Sequence, residues 1–138
     1  MVNDILVNKL SIIKRSIKRI HEEYENNPKS LENYTKQDSI ILNIQRACEA
    51  SIDIAMHLVA QRKLGIPQSS REGFTLLYEG NVINKELSER LKAMVGFRNI
   101  AVHDYKSINL AIVQQIIESH LVDFNLFSEI VMKELTLP

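Results

Sequence analysis

Asn84-Lys85-Glu86-Leu87-Ser88-Glu89-Arg90-Leu91-Lys92-Ala93-Met94-Val95-Gly96-Phe97-Arg98-Asn99-Ile100-Ala101-Val102-His103-Asp104-Tyr105 is the stretch that decides how this chain folds. Leu87, Leu91, Met94, Arg98, Val102 and Tyr105 recur at intervals of three and four, the period of one stripe along an α-helix. Asn84 stands where such a helix would be capped. Arg98 occupies a place in the stripe where another apolar residue belongs. A guanidinium keeps its proton in any protein interior, so at that place it requires a carboxylate, a solvated cleft or an anion such as phosphate.

The same period runs outward in both directions. Leu6, Leu10, Ile13, Ile17, Ile20 and Tyr24 mark a first amphipathic helix that stops at the Asn26-Asn27-Pro28 breaker. A second, longer helix is expected to begin after Thr35 or Asp38 and to run toward Leu64-Gly65-Ile66-Pro67. Ile40, Ile41, Ile44, Ala47, Cys48, Ile52, Ala55, Leu58 and Val59 cover more than half its circumference, which predicts a helix sandwiched between neighbours. Ser70 is placed to cap a short helix through Glu79, ended by Gly80 and anchored by Phe74 and Leu77. After the central stretch, Ser107 or Asn109 caps a last helix with Leu110, Val113, Ile117, Leu121, Phe124, Phe127 and Val131 facing inward, ending near Leu135. The connections are short. The expectation is therefore one all-α domain over residues 1–138, an antiparallel bundle of four to five helices. The apolar surfaces of the second and last helices are broad for a small monomer, which predicts a two-fold homodimer.

Composition narrows the function. With 45% hydrophobic and 25% charged residues the chain is ordinary globular protein, and four glycines with three prolines are too few for the turns of an all-β fold. Seventeen basic residues balance seventeen acidic ones, so no bulk field draws the chain to nucleic acid or anionic membrane. Any such binding must come from a local patch. The basic band Lys14, Arg15, Lys18 and Arg19 has two readings, a solvated helix face and an RNA-guiding surface. Cys48 lies in an apolar run and reads as a buried, inert thiol, consistent with a reducing cytoplasm. No apolar run approaches the ~20 residues that span a bilayer, and the beginning of the chain does not read as a secretion signal.

The chemistry that Arg98 and His103 could support is proton transfer at a phosphodiester. Cleavage of RNA through its own ribose 2′-hydroxyl needs one group to take a proton from the 2′-oxygen, another to protonate the leaving 5′-oxygen, and a cation against the charge that builds at phosphorus. One histidine per chain is one proton-transfer group short, and a two-fold dimer would supply the second. On a regular helix the five steps from Arg98 to His103 separate the side chains by about 140°. Either the helix loosens near Val102, or the arginine's reach and a second subunit bring the groups together. Asn99 and His103 are four apart and share a face, so Asn99 is placed to fix the imidazole or to hydrogen-bond a phosphate. From spacing alone the opposing reading stands beside this one, with Arg98 paired to Asp53 or Glu49 and His103 in a satisfied polar network. Arg46, Glu49, Asp53 and His57 form a polar line on the second helix. That line is open to three readings: a solvated edge, a metal site using Asp53 and His57, or support for the Arg98 and His103 site. His21, His57 and His120 otherwise read as surface or packing residues.

End to end, the chain resembles the HepT toxins, a branch of the HEPN superfamily found in toxin-antitoxin pairs. Met94-Val95-Gly96-Phe97-Arg98-Asn99-Ile100-Ala101-Val102-His103-Asp104-Tyr105 carries the family's arginine, short spacer and histidine together with its additional tyrosine. Gln45-Arg46-Ala47, Ser51-Ile52-Asp53-Ile54-Ala55-Met56-His57 and Arg71-Glu72-Gly73-Phe74 support the match. The resemblance implies a helical homodimer whose paired motifs form the cleft of a metal-independent ribonuclease acting on transfer or messenger RNA. It implies Arg98 and His103 as the catalytic pair with Asn99 in support, while Glu49, Asp53 and Arg46 are candidates for a supporting layer only on the third reading of the polar line. It further implies that Tyr105 receives AMP from ATP through a minimal nucleotidyltransferase (MNT) antitoxin, and that neither cofactor nor membrane is involved. HEPN domains also include non-catalytic interaction and nucleotide-binding modules, the alternative function.

Overall fold

In the computed structural model, which describes residues 3–136, helices run α1 (Asp4–Tyr24), α2 (Tyr34–Gln61), α3 (Ser70–Glu79), α4 (Lys85–His103), α5 (Leu110–Gln115) and α6 (Leu121–Thr136). Single 3₁₀ turns at Pro28–Glu32 and Tyr105–Ser107 join their neighbours. A π-helical turn at Ile116–His120 fuses α5 to α6, so the last two are one continuous helix and the expected count of five holds. Among the described residues there is no strand. Leu137 and Pro138, which the sequence sets after the last helix, lie outside the described residues, as do Met1 and Val2.

Local chemistry fixes the ends. The Asn3 side chain accepts from the Leu6 amide at the start of α1. Glu25 and Asn26 turn left-handed at its end, with φ of 54° and 53°, which reverses the chain before Pro28. The cap of α2 is Asn33, whose side chain accepts from the Lys36 amide at 3.0 Å; Thr35 and Asp38 lie inside the helix. Correspondingly, α2 ends at Gln61, before the Leu64-Gly65-Ile66-Pro67 stop. Ser69 caps α3 one residue ahead of the expected Ser70, accepting from the Glu72 amide at 3.1 Å. Gly80 follows, and there a Cβ would lie 2.7 Å from the end of the Leu64 side chain, so a larger residue would require that side chain to shift. Asn84 caps α4 as its sequence predicts, and Asn109 caps α5. Ser107 instead donates to the Asp104 carboxylate.

The cross-helix pairs run in opposite numerical order, which makes the bundle antiparallel. From α1 to α2, Lys36 meets Glu25, Lys9 meets Asp53 and Asn3 meets His57. Between α2 and α4 the Cys48 Sγ meets the Met94 carbonyl and Glu49 meets Arg98, and Asp38, nearer the start of α2, meets Tyr105 just past the end of α4. Every apolar residue expected inward on α2 is buried, with Asn43, Ser51, Ala50 and Ile54 in addition. Asn43 and Ser51 are satisfied by the carbonyls one turn back, Ser39 and Ala47, which lets polar side chains sit in a helix covered on most sides.

Phe74 and Phe127 meet edge to face at 5.8 Å and join α3 to α6 in the core. Tyr24 is buried too, and its hydroxyl donates to Glu118 in the π turn. The extra residue in that turn brings both Ile116 and Ile117 inward. Leu10 of the α1 stripe is only partly buried, Tyr105 lies outside α4, and two further inward assignments fail. Leu110 is exposed because it begins the first turn after Asn109, and Val102 is exposed because α4 leaves the core near its end. No helix among the described residues is long and apolar enough to cross a membrane.

Candidate functional site

Arg98 sits on α4 with its side chain 20% exposed. Its Nε donates to the Asn99 side-chain oxygen at 2.9 Å, and a terminal nitrogen reaches the Ser70 hydroxyl at 3.4 Å. The nearest carboxylate, Glu49, is 3.8 Å away. The guanidinium is therefore held mainly by neutral oxygens. Its charge is only loosely compensated, the state in which a fork of N–H donors can take up a phosphate. Asp53, the other partner considered for Arg98, is held by Lys9 at 2.9 Å.

His103 is the last residue of α4 and is exposed, with no hydrogen bond or ion pair among the described residues. The helix stays regular through His103 and breaks only at Asp104. The loosening near Val102 does not occur, and the wide angular separation of Arg98 and His103 stands within one chain. Asn99 holds Arg98 in place of the imidazole.

Tyr105 is not the end of the α4 stripe. Asp104, at φ −151° and ψ 60°, redirects the chain, and Tyr105 opens the 3₁₀ turn. Its ring is 42% exposed, and its hydroxyl donates to the Asp38 carboxylate across to α2. Partial burial, then that hydrogen bond and the Asp38 charge, push the phenol up to about 12. Asp38 is the residue that sequence reasoning assigned elsewhere, as a cap. No local period links positions so far apart, although an acid near an N-terminus that is not the cap is free to serve another element.

The polar line on α2 resolves by partner. Glu49 faces Arg98, Asp53 faces Lys9, and the His57 Nε2 lies 2.7 Å from the Asn3 side-chain nitrogen. Asp53 and His57 thus point to different partners. Among the described residues no three metal-ligating side chains cluster. Arg46, Glu49, Asp53 and Arg98 line one open groove together with Lys9. Cys48 is fully buried behind this groove, and burial raises its thiol far above the ordinary range, against the smaller opposing pull of Arg98. Of the remaining histidines, His120 lies 3.3 Å from the buried carboxylate of Asp123, which Arg90 also approaches at 3.3 Å.

Comparison with known proteins identifies the family. The family described as "Ribonuclease HepT-like" matches residues 13–131. A curated relative, the mRNA nuclease HepT of Shewanella oneidensis, is 53% identical over 133 residues, covering 96% of this chain and all of the relative. The solved tri-AMPylated Shewanella oneidensis HEPN toxin in complex with MNT antitoxin superposes with a TM-score of 0.90 at 53% identity, covering 95% of this chain and 98% of that one. A toxin-antitoxin structure with AMP-PNP superposes with a TM-score of 0.91 at 52% identity, covering 95% and 99%. The chain belongs to the ribonuclease HepT-like family of HEPN toxins.

Proposed function

We propose that this protein is a cytoplasmic toxin ribonuclease that cuts messenger RNA as a homodimer and is silenced by AMP attached to Tyr105. The observation that carries the reading is on α4: an arginine held mainly by neutral oxygens, followed by an unpartnered, exposed histidine. The dimer supplies what one chain lacks. Ile100 and Val102, both more than 40% exposed, flank His103 with apolar surface suited to a second copy. Two copies of Arg98 and His103 then face one cleft.

One imidazole takes the proton from the ribose 2′-hydroxyl, and the 2′-oxygen bonds to phosphorus. Arg98 stabilises the added negative charge. The bond from phosphorus to the 5′-oxygen breaks, and a second imidazole returns a proton to that oxygen. The products are a 2′,3′-cyclic phosphate and a 5′-hydroxyl. The ribose is the internal nucleophile, so the reaction needs no metal-bound water.

Silencing uses the Tyr105 hydroxyl. It attacks the α-phosphorus of ATP under an MNT-type antitoxin, an oxygen–phosphorus bond forms, pyrophosphate leaves and the phenolic proton is released. A phosphate beside the cleft repels RNA phosphate and adds bulk where substrate enters. The close relatives with MNT antitoxin and with tri-AMPylation support this reading.

The test is cleavage of total cellular RNA by purified, unmodified protein in excess chelator, beside His103→Ala. New ends bearing cyclic phosphate with the native protein alone are expected. Equal cleavage by both proteins, or cleavage that chelator stops, refutes the assignment.

A further inference from the structure

A second groove lies between α1 and α2, lined by Arg15, Ser16, Arg19, Asp38, Asn43 and Arg46. It shares Arg46 and Ile12 with the groove that holds Arg98, so the two are continuous. At ~1.5 Å per residue, the α2 segment from Asp38 to Glu49 spans about 16 Å. One end is the Tyr105–Asp38 hydrogen bond and the other is the Glu49–Arg98 contact. The antiparallel pairing of α1 with α2 brings half of the basic band, Arg15 and Arg19, over Arg46. The other half, Lys14 and Lys18, is exposed and lines neither groove.

Charge along the run is unbalanced. Lys9, Arg15, Arg19, Arg46 and Arg98 face Asp38, Glu49 and Asp53. Lys9 and Arg98 have these acids as partners, and Arg19 has Glu23 at 3.4 Å. Among the described residues Arg15 and Arg46 have no ion-pair partner, although they occupy a concave surface with neutral Ser16, Ser39 and Asn43 around them. Guanidinium forks surrounded by small hydrogen-bonding side chains suit a flexible strand of phosphodiesters.

We propose that the α1–α2 groove is the track along which single-stranded RNA reaches Arg98, with Arg15 and Arg46 holding its phosphates. This rests on the ribonuclease reading. It explains how a chain of zero net charge engages RNA, since the attraction is concentrated in one groove. The recognised chemistry is the phosphodiester, and an adenylyl chain grown on Tyr105 begins at the mouth of the same groove.

The experiment measures binding of a short fluorescent single-stranded RNA in the His103→Ala background, so that no cleavage intervenes. Arg15→Gln/Arg46→Gln is compared with Lys14→Gln/Lys18→Gln, which removes the same charge from the outer half of the band. All four side chains are exposed, so both variants fold. The arginine pair is expected to weaken binding about tenfold or more and to make the slope of log affinity against log salt shallower by about 1.4, while the lysine pair changes little. With His103 intact, the arginine variant should raise KM by a larger factor than it lowers kcat. Equal weakening by both pairs, or none by either, overturns the proposal.

The second arm measures Tm with and without AMP on Tyr105. A change on modification that the arginine pair abolishes, with its RNA affinity unchanged, assigns the groove to the attached chain and overturns the RNA assignment. Failure of the ribonuclease reading shows separately, as absence of cleavage by the His103-intact protein, while the binding comparison still decides the groove.

Discussion

Replacing Asp38 by Asn tests the contact that joins the modification site to α2. Tyr105 stands at about 12, against an ordinary value of 10.0, and burial is the largest of the three causes. Burial remains after the substitution, so the phenol should fall but stay above its ordinary value. The folded value is raised, so the stability that Tyr105 contributes is fully present below pH 10 and is lost as pH rises through 12. In Asp38→Asn that loss still begins near pH 10, but it is complete at lower pH and is smaller. With the ring 42% exposed, the contact is screened and its removal at neutral pH costs about 1 kcal/mol or less. Tyrosinate absorbance across alkaline pH is the assay. The chain has four tyrosines, and Tyr24 is also pushed up to about 12 by burial and Glu118, so the Tyr105 signal is taken as the difference from Tyr105→Phe. An unchanged difference curve in Asp38→Asn would falsify the role given to Asp38.

Arg98→Ala should lower the cleavage rate by roughly 10²–10³ while leaving the circular dichroism spectrum and melting curve near native, measured with a defined RNA. Tyr105→Phe should still cleave RNA and should stay toxic when the antitoxin is co-expressed, read by growth and by an intact mass without added AMP. Phe127→Ala should cost about 3–5 kcal/mol in urea unfolding, because a fully buried ring and its edge contact with Phe74 are lost. Asn33→Ala should cost about 1 kcal/mol and Thr35→Ala less than about 0.5 kcal/mol, a comparison that separates the true α2 cap from the residue two positions later.

The bundle was legible wherever a helix period persisted. The stripes of α1, α2 and α4 through Met94 name buried residues correctly except for Leu10, which is partly buried, because burial on a helix is a local, repeating demand. Caps were displaced by short distances for an equally local reason. Asn33, Thr35 and Asp38, like Ser69 with Ser70 and Ser107 with Asn109, offer similar oxygens within a few residues, and only the backbone direction selects among them. The π turn left no mark in the apolar pattern of the last helix, since both Ile116 and Ile117 are apolar. Of the site, Arg98 and His103 stood out as polar groups in an apolar setting. Their partners did not. Ser70 beside Arg98 and Asp38 beside Tyr105 come from other helices, and Lys9 takes Asp53 away from Arg98. These relations follow from which helix ends the antiparallel packing brings together.

Cys48 gives the molecule a built-in clock. It is the chain's only thiol, and its sulfur rests 3.6 Å from the Met94 carbonyl, one turn before Arg98 on the arginine-bearing helix. A maleimide or disulfide reagent can reach it only when α4 lifts from α2, so the labelling rate counts those openings. Agents that grip Arg98 or Tyr105 from outside should slow the clock without touching the sulfur, and oxidants that leave the bundle closed should leave the enzyme's activity alone.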